Sequence, residues 1–500
     1  MSRDELIVVV RRQAGQLAAQ DRQIAEMAGQ VSGLLEANEV LAGKLAKLEH
    51  LLSRNSGNSS NPPSKDDDPG KPAAPEKNKR DRGGPKRVRG KQPGAAGTHL
   101  AWTDDPNVRR DRFPEGRCDC GDDLGAARDL GIVDRYQQHE IPQVSATVIQ
   151  YNQHEVECGC GKIHTAQRPP GARSGPVGYG PNLAAFAVYL MVVQFIPAHR
   201  VVALLESLTG TAPSVGFVHG MINRTAGLLT EVGQRIQTLI TRAHAVCCDE
   251  TPLRVGPKAA PVGKKKAERY LLVAATELYT HYLLGDRSLD TFTASVLTEL
   301  GKAVIVHDRY QNYDSPQLGT LVHQLCCAHL LRDLDDAAQV HPDKVWPGQI
   351  AAALRGLIHQ ANLAREQGLP AIAAEDRDPL LNRLRNGMLV GLSDTTSHGT
   401  RPGERKARLL LEVLRDRPED VLRFAHDLKV PPTSNQAERD LRPSKIQQKI
   451  SGRLTSAKRT QDRYSILGYL STAAKHGIDQ ITALRDALTG RPWMPALPAP

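Results

Sequence analysis

Two aspartates stand at the ends of hydrophobic runs. Ala245-Val-Cys-Cys-Asp249 and Ala303-Val-Ile-Val-His-Asp308 both read as short buried strands that finish in a carboxylate. A carboxylate inside an apolar core is costly, so each side chain is expected to leave its strand for a site or for solvent. If the strands are parallel neighbours their ends lie side by side, and like charges held close repel unless a cation separates them. Mg2+ (or Mn2+) suits that role, since it takes oxygen ligands and keeps waters for substrate phosphates. Two such ions, roughly 3.5–4 Å apart, activate the attacking oxygen and stabilise the leaving one during in-line displacement. The chemistry these residues suggest is phosphodiester transfer. Glu250 follows Asp249 and is expected to face the other way along a continuing strand.

A third acid, if there is one, lies far downstream. After the break at Pro431-Pro432, the run Thr433-Ser-Asn-Gln-Ala-Glu438-Arg-Asp-Leu-Arg-Pro443 opens a short helix, with Thr433 and Gln436 spaced for a capping box. Glu438 and Arg442 share a helical face, and Arg439 and Arg442 bring positive charge to where phosphates would lie. Pro443 is expected to limit how far this helix runs unbent. Pattern alone leaves Glu438 open, because an ordinary surface acid at this position would look the same.

Thiols offer a second chemistry. The eight cysteines come in close pairs. The early apolar run Leu6 to Val10 is too short for a secretory signal and follows acidic residues, so reduced thiols and a cytoplasmic location are expected. Cys118-Asp-Cys120-Gly and Cys158-Gly-Cys160-Gly flank a strand-like centre at Val144 to Tyr151. Four thiolates in paired knuckles suit a structural tetrahedral zinc, although His154 or His164 could replace one of them. Cys247, Cys248, Cys326 and Cys327 read instead as buried free thiols.

The elements that must position these groups follow from the same rows. Beyond residue 243 the pattern is α/β. Strands are expected at 245–249, Tyr270 to Thr276, Thr280 to Leu284, 303–308 and His323 to Cys327, with helices at Ser288 to Leu300 and after the fifth strand. Strand, strand, strand, helix, strand, helix, strand is the order of the ribonuclease H fold. Asp314 reads as a turn residue, and Lys264, Lys265 and Lys266 fall in the loop between the first two strands, solvated or touching DNA. Residues 180–240 read as helical. Leu183 to Ile196 is apolar but shorter than the roughly 20 residues of a membrane span, so it reads as a buried helix. His199 to Leu208, a turn through Pro213, and Ser214 to Leu228 with Ser214 as N-cap fit a helix-turn-helix or a plain helical hairpin equally well.

Before residue 100 the composition changes twice. Val10, Leu17, Ile24, Val31, Asn38, Leu45 and Leu52 form one heptad row, and Met27, Leu34, Leu41 and Leu48 its companion, the pattern of a coiled coil through which the chain would self-associate. Asn55 to Ser64 is a turn-rich breaker. The Pro/Gly-rich stretch after it carries Lys77, Lys79, Arg80, Arg82, Lys86, Arg87, Arg89 and Lys91, too polar to fold alone and suited to an arm on DNA phosphates. The formal net charge of +10 agrees with a polyanionic partner.

Several of these motifs occur together in one family. Asn55 to Ser64, Gly90-Lys-Gln-Pro-Gly-Ala-Ala-Gly97, Cys248-Asp-Glu-Thr-Pro252, His307-Asp-Arg-Tyr-Gln-Asn-Tyr313, Cys327-Ala-His-Leu-Leu-Arg332 and Asn435-Gln-Ala-Glu-Arg-Asp-Leu-Arg-Pro443 appear in the order found in the insertion sequence 66 family of DDE transposases. The chain resembles that family's large transposase subunit over nearly its full length. The resemblance implies that Asp249, Asp308 and Glu438 form a magnesium-binding triad. It implies that Cys118, Cys120, Cys158 and Cys160 match a zinc module, although the family usually places two residues between paired cysteines. His329 and Arg332 are then expected near DNA or the scissile phosphate, and the span Asp333 to Thr433 resembles a helical insertion. Small accessory proteins often act with this family.

The expected organisation is therefore multidomain, α and α/β. A coiled coil (1–52) and a disordered basic linker (53–100) precede a zinc-ribbon-like module (101–170) and a helical, DNA-binding region (171–243). A ribonuclease H-like core follows in two parts (244–332 and 434–490) around a helical insertion (333–433), with a tail at 491–500. The expected activity cuts double-stranded DNA at element ends and joins the freed 3′-hydroxyl to target DNA, in a nucleoid-associated cytoplasmic protein. A ribonuclease H-like nuclease that only hydrolyses, and a non-catalytic DNA-binding protein, are the competing readings.

Overall fold

A computed structural model describes residues 100–172, 175–256, 269–396 and 402–497, and before them only Gly15, Gln20, Met27 and Gln30. The coiled coil, the basic linker with Lys86, Arg87 and Arg89, and the loop lysines Lys264, Lys265 and Lys266 lie outside the described residues. The chain divides into compact units at Ser145/Ala146. In the unit of residues 52–145 the described chain has little regular structure beyond a turn at Cys118–Asp123 and a 3-10 turn at Leu124–Ala126. The expected strand at 144–151 does not form. Pairing begins later, in a short hairpin of β1 (Glu155–Glu157) and β2 (Ile163–Thr165).

Four helices lead into the core: α1 (Pro181–Val192), α2 (Ala198–Thr209), α3 (Val215–Leu228) and α4 (Thr230–Thr241). Pro181 starts α1 at a position where its missing N–H costs nothing, and most of the helix is buried, as an apolar sequence on nearly all sides requires. Ser214 caps α3 by accepting from Phe217 N–H at 3.0 Å. The outward positions of α3 are Val215, Gly216, Gly220, Asn223, Gly227 and Leu228. Asn223 is the one polar side chain on that face, and the α2–α3 pair stands as two helices joined by a turn.

The central sheet has five strands in the order β5-β4-β3-β6-β7. They are β3 (Ala245–Leu253), β4 (Arg269–Ala275), β5 (Thr280–Gly285), β6 (Val304–His307) and β7 (Val322–Leu325). β3, β4 and β5 pair antiparallel, whereas β6 and β7 run parallel to β3. β3 does not stop at Asp249 as its apolar run suggests, because backbone pairing to β4 carries it on to Leu253. The helix expected at 288–300 is interrupted: α5 (Leu289–Thr293) ends, and a 3-10 turn at Val296–Glu299 follows. The fifth strand ends at Leu325, so Cys326 becomes the N-cap of α6 (Cys327–Val340).

Residues 333–433 contain no strand among the described residues. The end of α6, α7 (Trp346–Glu366), α8 (Ala374–Asp394), α9 (Pro402–Asp416) and α10 (Pro418–His426) enclose a core of their own around Trp346, Leu354, Leu357, Leu410, Leu411 and Phe424. Burying each of these large side chains stabilises the bundle by about 1.5–3 kcal/mol. Arg365 closes it, donating to the carbonyls of Leu428 at 2.6 Å and Val430 at 2.8 Å and so fixing the return to the sheet.

The chain then re-enters the first core through α11 (Asn435–Ile450), α12 (Ala457–Lys475) and α13 (Gln480–Leu488). α11 packs on β3 and β4, and α12 on β5. Pro443 does not end α11, which continues to Ile450. The capping box of Thr433 and Gln436 does not form either. Ser434 takes the N-cap position without a side-chain cap, and the Gln436 amide donates to Asp440 at 3.1 Å.

Gly285 ends β5 directly against Thr291. The Thr291 hydroxyl is engaged with Asp286 at 3.0 Å, so it cannot swing aside without breaking that corner. A Gly285→Ala substitution is expected to cost about 1–3 kcal/mol by overpacking, read as a lower denaturation midpoint at unchanged slope.

Candidate functional site

The parallel register of β3 and β6 is the starting point. Ala245 pairs with Val304, Val246 with Ile305 and Cys247 with Val306. Carried two residues further, it sets Asp249 opposite Asp308, beyond the last β3–β6 pair, while β3 stays paired to β4. Asp249 Oδ1 accepts from the Glu250 N–H at 2.8 Å, and Asp308 Oδ1 from the Tyr310 N–H at 2.8 Å. Burial, then Glu250 and Asp308, push the Asp249 carboxyl up to about 7. No Lys or Arg among the described residues forms an ion pair with either aspartate. That donor set, two facing carboxylates short of positive charge, fits a divalent cation with oxygen preference.

Glu250 faces the other way, as alternation requires. Its side chain is only 1% exposed and holds an ion pair with Arg287. Tyr313 donates its hydroxyl to Glu250 at 3.2 Å. Arg287 lies 3.9 Å from the Tyr310 ring centre, and its carbonyl accepts from Tyr310 at 3.1 Å and Asn312 at 3.0 Å. This network braces the loop after β6, which carries Asp308. On the far side, Arg309 pairs with Asp333 of α6, and Lys406 of α9 reaches Asp333 and Asp336, each at 2.7 Å. Asp314 does more than turn the chain, since it pairs with Arg417 at 2.9 Å.

The start of α11 hangs from thiols. Cys247 Sγ donates to Thr433 O at 3.8 Å, and Cys326 Sγ accepts from Ser434 N–H at 3.3 Å, so both sulfurs engage one peptide group. Cys327 N–H adds a bond to Pro432 O at 2.9 Å. All four of these cysteines (247, 248, 326, 327) are buried and free. Burial pushes the Cys247 thiol up to about 12. At Cys326 burial acts the same way but is outweighed by hydrogen bonding to His329 and Ser434, leaving that thiol below its ordinary value. His329 thus pairs with Cys326, close enough to Asp249 and Asp308 to feel their charge.

Glu438 stands in the first turn of α11, partly buried, and meets Arg332 of α6 at 3.4 Å. It is not gathered with the two aspartates: among the described residues no three His, Cys, Asp or Glu side chains form a group able to hold a metal ion. Arg439 is exposed and donates to Gln436 at 2.7 Å, and Arg442 is exposed.

The most heavily bonded carboxylate on α11 is Asp440, which the sequence did not single out. Lys475 of α12 donates to it at 2.8 Å, and the Thr280 hydroxyl at 3.0 Å. The Lys475 ammonium also reaches the Thr276 and Tyr279 carbonyls at 2.9 and 3.2 Å and the Thr280 hydroxyl at 2.7 Å. With side chains 9% and 13% exposed, this is a buried, fully bonded pair. The available signal was a lysine directly after the uncharged run from Tyr464 to Ala474.

Each C-x-C-G segment forms the same turn. Cys118 N–H donates to Asp122 O at 2.9 Å and Gly121 N–H to Cys118 O at 2.8 Å; Cys158 and Gly161 repeat this with Lys162 and Cys158 at 2.9 and 2.7 Å. The glycine after each pair has positive φ, 99° at Gly121 and 83° at Gly161, which explains its place in the motif. Hydrogen bonds from Cys120 and Cys160 hold the Cys118 and Cys158 thiols below their ordinary values.

Residues 177–462 match the family described as Transposase IS66 family, a span running from just before α1 into α12. Residues 12–101 match a family of unknown function, DUF6444. No curated protein matches the chain.

Two outcomes follow from this geometry. Asp440→Asn leaves Lys475 buried without its counter-ion and is expected to cost about 3–5 kcal/mol, whereas adding Lys475→Met recovers much of the loss, as chemical denaturation of both variants would show. Asp249 has a folded value above its unfolded one, so its contribution to stability is full near pH 4 and lost as pH rises through about 7. In chelator, Asp249→Asn should therefore melt higher than wild type at pH 8, the gap closing towards pH 5. Mg2+ should raise the melting temperature of wild type only.

Proposed function

Since the chain belongs to the Transposase IS66 family, we propose that it is the catalytic transposase of a bacterial insertion sequence, cutting DNA at element ends and joining the freed 3′-hydroxyl to target DNA. The observation that carries this reading is the placement of Asp249 opposite Asp308 by the β3–β6 register, inside the family-matched region and under the helix that bears Glu438. A ribonuclease H-like core is part of the proposal. Its support is the strand order β5-β4-β3-β6-β7, with three antiparallel strands followed by two parallel to the first.

Asp249, Asp308 and Glu438 are the residues that would hold Mg2+ or Mn2+. When bound, the ions supply an activated attacking oxygen and stabilisation of the leaving one. The chain's own contributions are positional. The β3 and β6 backbones fix the two aspartates at one edge of the sheet. Glu250, Arg287, Tyr310 and Tyr313 hold the loop of Asp308 against β3. Glu438 on α11 rests on Arg332, and Arg332, half of it exposed, can exchange that carboxylate for a DNA phosphate. His329 stands beside the aspartates, bonded to Cys326. Zinc ligation by the thiols of Cys118, Cys120, Cys158 and Cys160 belongs to the same reading and rests on sequence. DNA contact by Lys86, Arg87, Arg89, Lys264, Lys265 and Lys266, and self-association through residues 1–52, rest on sequence. No described helix is long and apolar enough to cross a membrane.

Purified protein, a labelled duplex from the ends of the DNA element that encodes it, and Mg2+ or Mn2+ should give both nicked ends and joined strands. Asp249→Asn and Glu438→Gln should each lose both steps by at least about 100-fold while still binding the duplex. Nicks without joining would replace the proposal by a hydrolytic nuclease. Unchanged activity in Glu438→Gln would remove Glu438 from the site.

A further inference from the structure

We infer that the outward face of α11 is a phosphate track, seating the backbone of duplex DNA along a line that leads from Glu438 towards the end of β3; the inference rests on the transposase reading above. Glu438, Arg442, Lys445 and Lys449 follow one another at spacings of four, three and four, which stacks them in one stripe along a helix. At about 1.5 Å per residue the stripe is about 16 Å long. Arg439 flanks its head. Arg442, Lys445 and Lys449 are exposed, and none of them meets a carboxylate among the described residues. The only other acid on α11, Asp440, points into the core and is consumed by Lys475.

The far end of the stripe gathers more positive charge. Arg254, just past β3, is exposed, and its N–H is bonded to Gln448 at 3.3 Å. Its carbonyl accepts from Leu454 N–H at 2.9 Å, and the Arg453 guanidinium donates to Val255 O at 3.0 Å. Arg453 and Arg254 therefore stand together just past the end of β3, beside Gln448 near the end of α11. Ile446 and Ile450, 48% and 43% exposed, lie between the cations.

A solvated helix surface normally interleaves its cations with acids three or four residues away, which gains a few tenths of a kcal/mol per pair. Here those positions hold further cations or uncharged residues, apart from Glu438 itself. Like charges at these spacings destabilise an isolated helix, and the sequence keeps several of them. An external polyanion relieves the repulsion, and a regularly spaced row of phosphates matches a regularly spaced row of cations. The line also begins at a proposed catalytic carboxylate, so a backbone lying on it passes the edge of the sheet where Asp249 and Asp308 emerge.

The test is the salt dependence of duplex binding by the full chain, followed by fluorescence anisotropy on a labelled duplex between 50 and 200 mM salt. Wild type is compared with a triple variant, Arg442→Gln, Lys445→Gln and Lys449→Gln, and with a charge-matched control, Lys302→Gln, Arg383→Gln and Arg385→Gln, at exposed positions elsewhere. Each lost phosphate contact lowers the slope of log affinity against log salt by about 0.9, so the stripe variant should lose about 2.7 from its slope. Over that salt range wild type should then weaken roughly 40-fold more than the stripe variant. The control should keep the wild-type slope. Unchanged melting temperatures would show that both variants fold. Wild-type slope in the stripe variant would overturn the track while leaving the transposase reading intact, and would point to an acidic protein as the occupant of this face. An equal drop in the control would also overturn it, by showing that only total charge matters. Absence of any salt-dependent duplex binding by wild type would remove both the track and the reading it rests on.

Discussion

The Asp440–Lys475 pair sets the position of everything α11 carries. α11 begins more than a hundred residues after β6, on the far side of a bundle with its own core, and must return to within reach of Asp249 and Asp308. Apolar contacts of Ala437 and Leu441 with the sheet hold it down but allow sliding, because dispersion contacts have little directional preference. A buried carboxylate that accepts from an ammonium, a hydroxyl and a side-chain amide, with the ammonium also donating to two carbonyls, does not slide. Desolvating both charges costs several kcal/mol, and the fully bonded geometry offsets that only in one register. The pair contributes little net stability and a great deal of positional definition.

The same logic runs through the head of α11. Its first peptide is engaged from opposite ends by Cys247 and Cys326, one sulfur from β3 and the other from the start of α6. Elements separated by roughly 80 to 190 residues are thereby tied at a single point. Arg309 to Asp333, and Lys406 to Asp333 and Asp336, extend the tie from the loop after β6 into the insertion. The bundle thus has its own hydrophobic core yet shares ionic groups with the loop after β6.

What the sequence revealed, and what it hid, divides along physical lines. The strands around Asp249 and Asp308 were legible because continuous apolar runs broken by an acid are rare and local. The extension of β3 to Leu253 was not, since Glu-Thr-Pro looks like a strand's end until β4 supplies its hydrogen bonds. Helix 288–300 reads as continuous from its apolar spacing, but Ser295 bonds back to Phe292 O at 2.6 Å and starts a new turn. Pro443 reads as a stop. In place it costs α11 one backbone bond, which packing on β3 and β4 outweighs. Asp440 was invisible because its partner lies in another helix, and nothing local distinguishes it from the neighbouring Glu438. Among the candidate site residues, Asp249 and Asp308 follow from pattern, whereas Glu438, His329 and Arg332 depended on a family resemblance.

The electrostatics of the site form one argument. Asp249, Glu250 and Asp308 crowd three acidic groups at the edge of a buried sheet, and only Glu250 has a strong internal counter-ion, in Arg287. The imbalance shows in both of its neighbours' circumstances. Burial, Glu250 and Asp308 lift Asp249 towards neutrality, and His329 offsets this only in part. Glu438, on α11, rests on Arg332. A divalent cation between the aspartates would remove the cause of the first, and a phosphate on Arg332 would release the second.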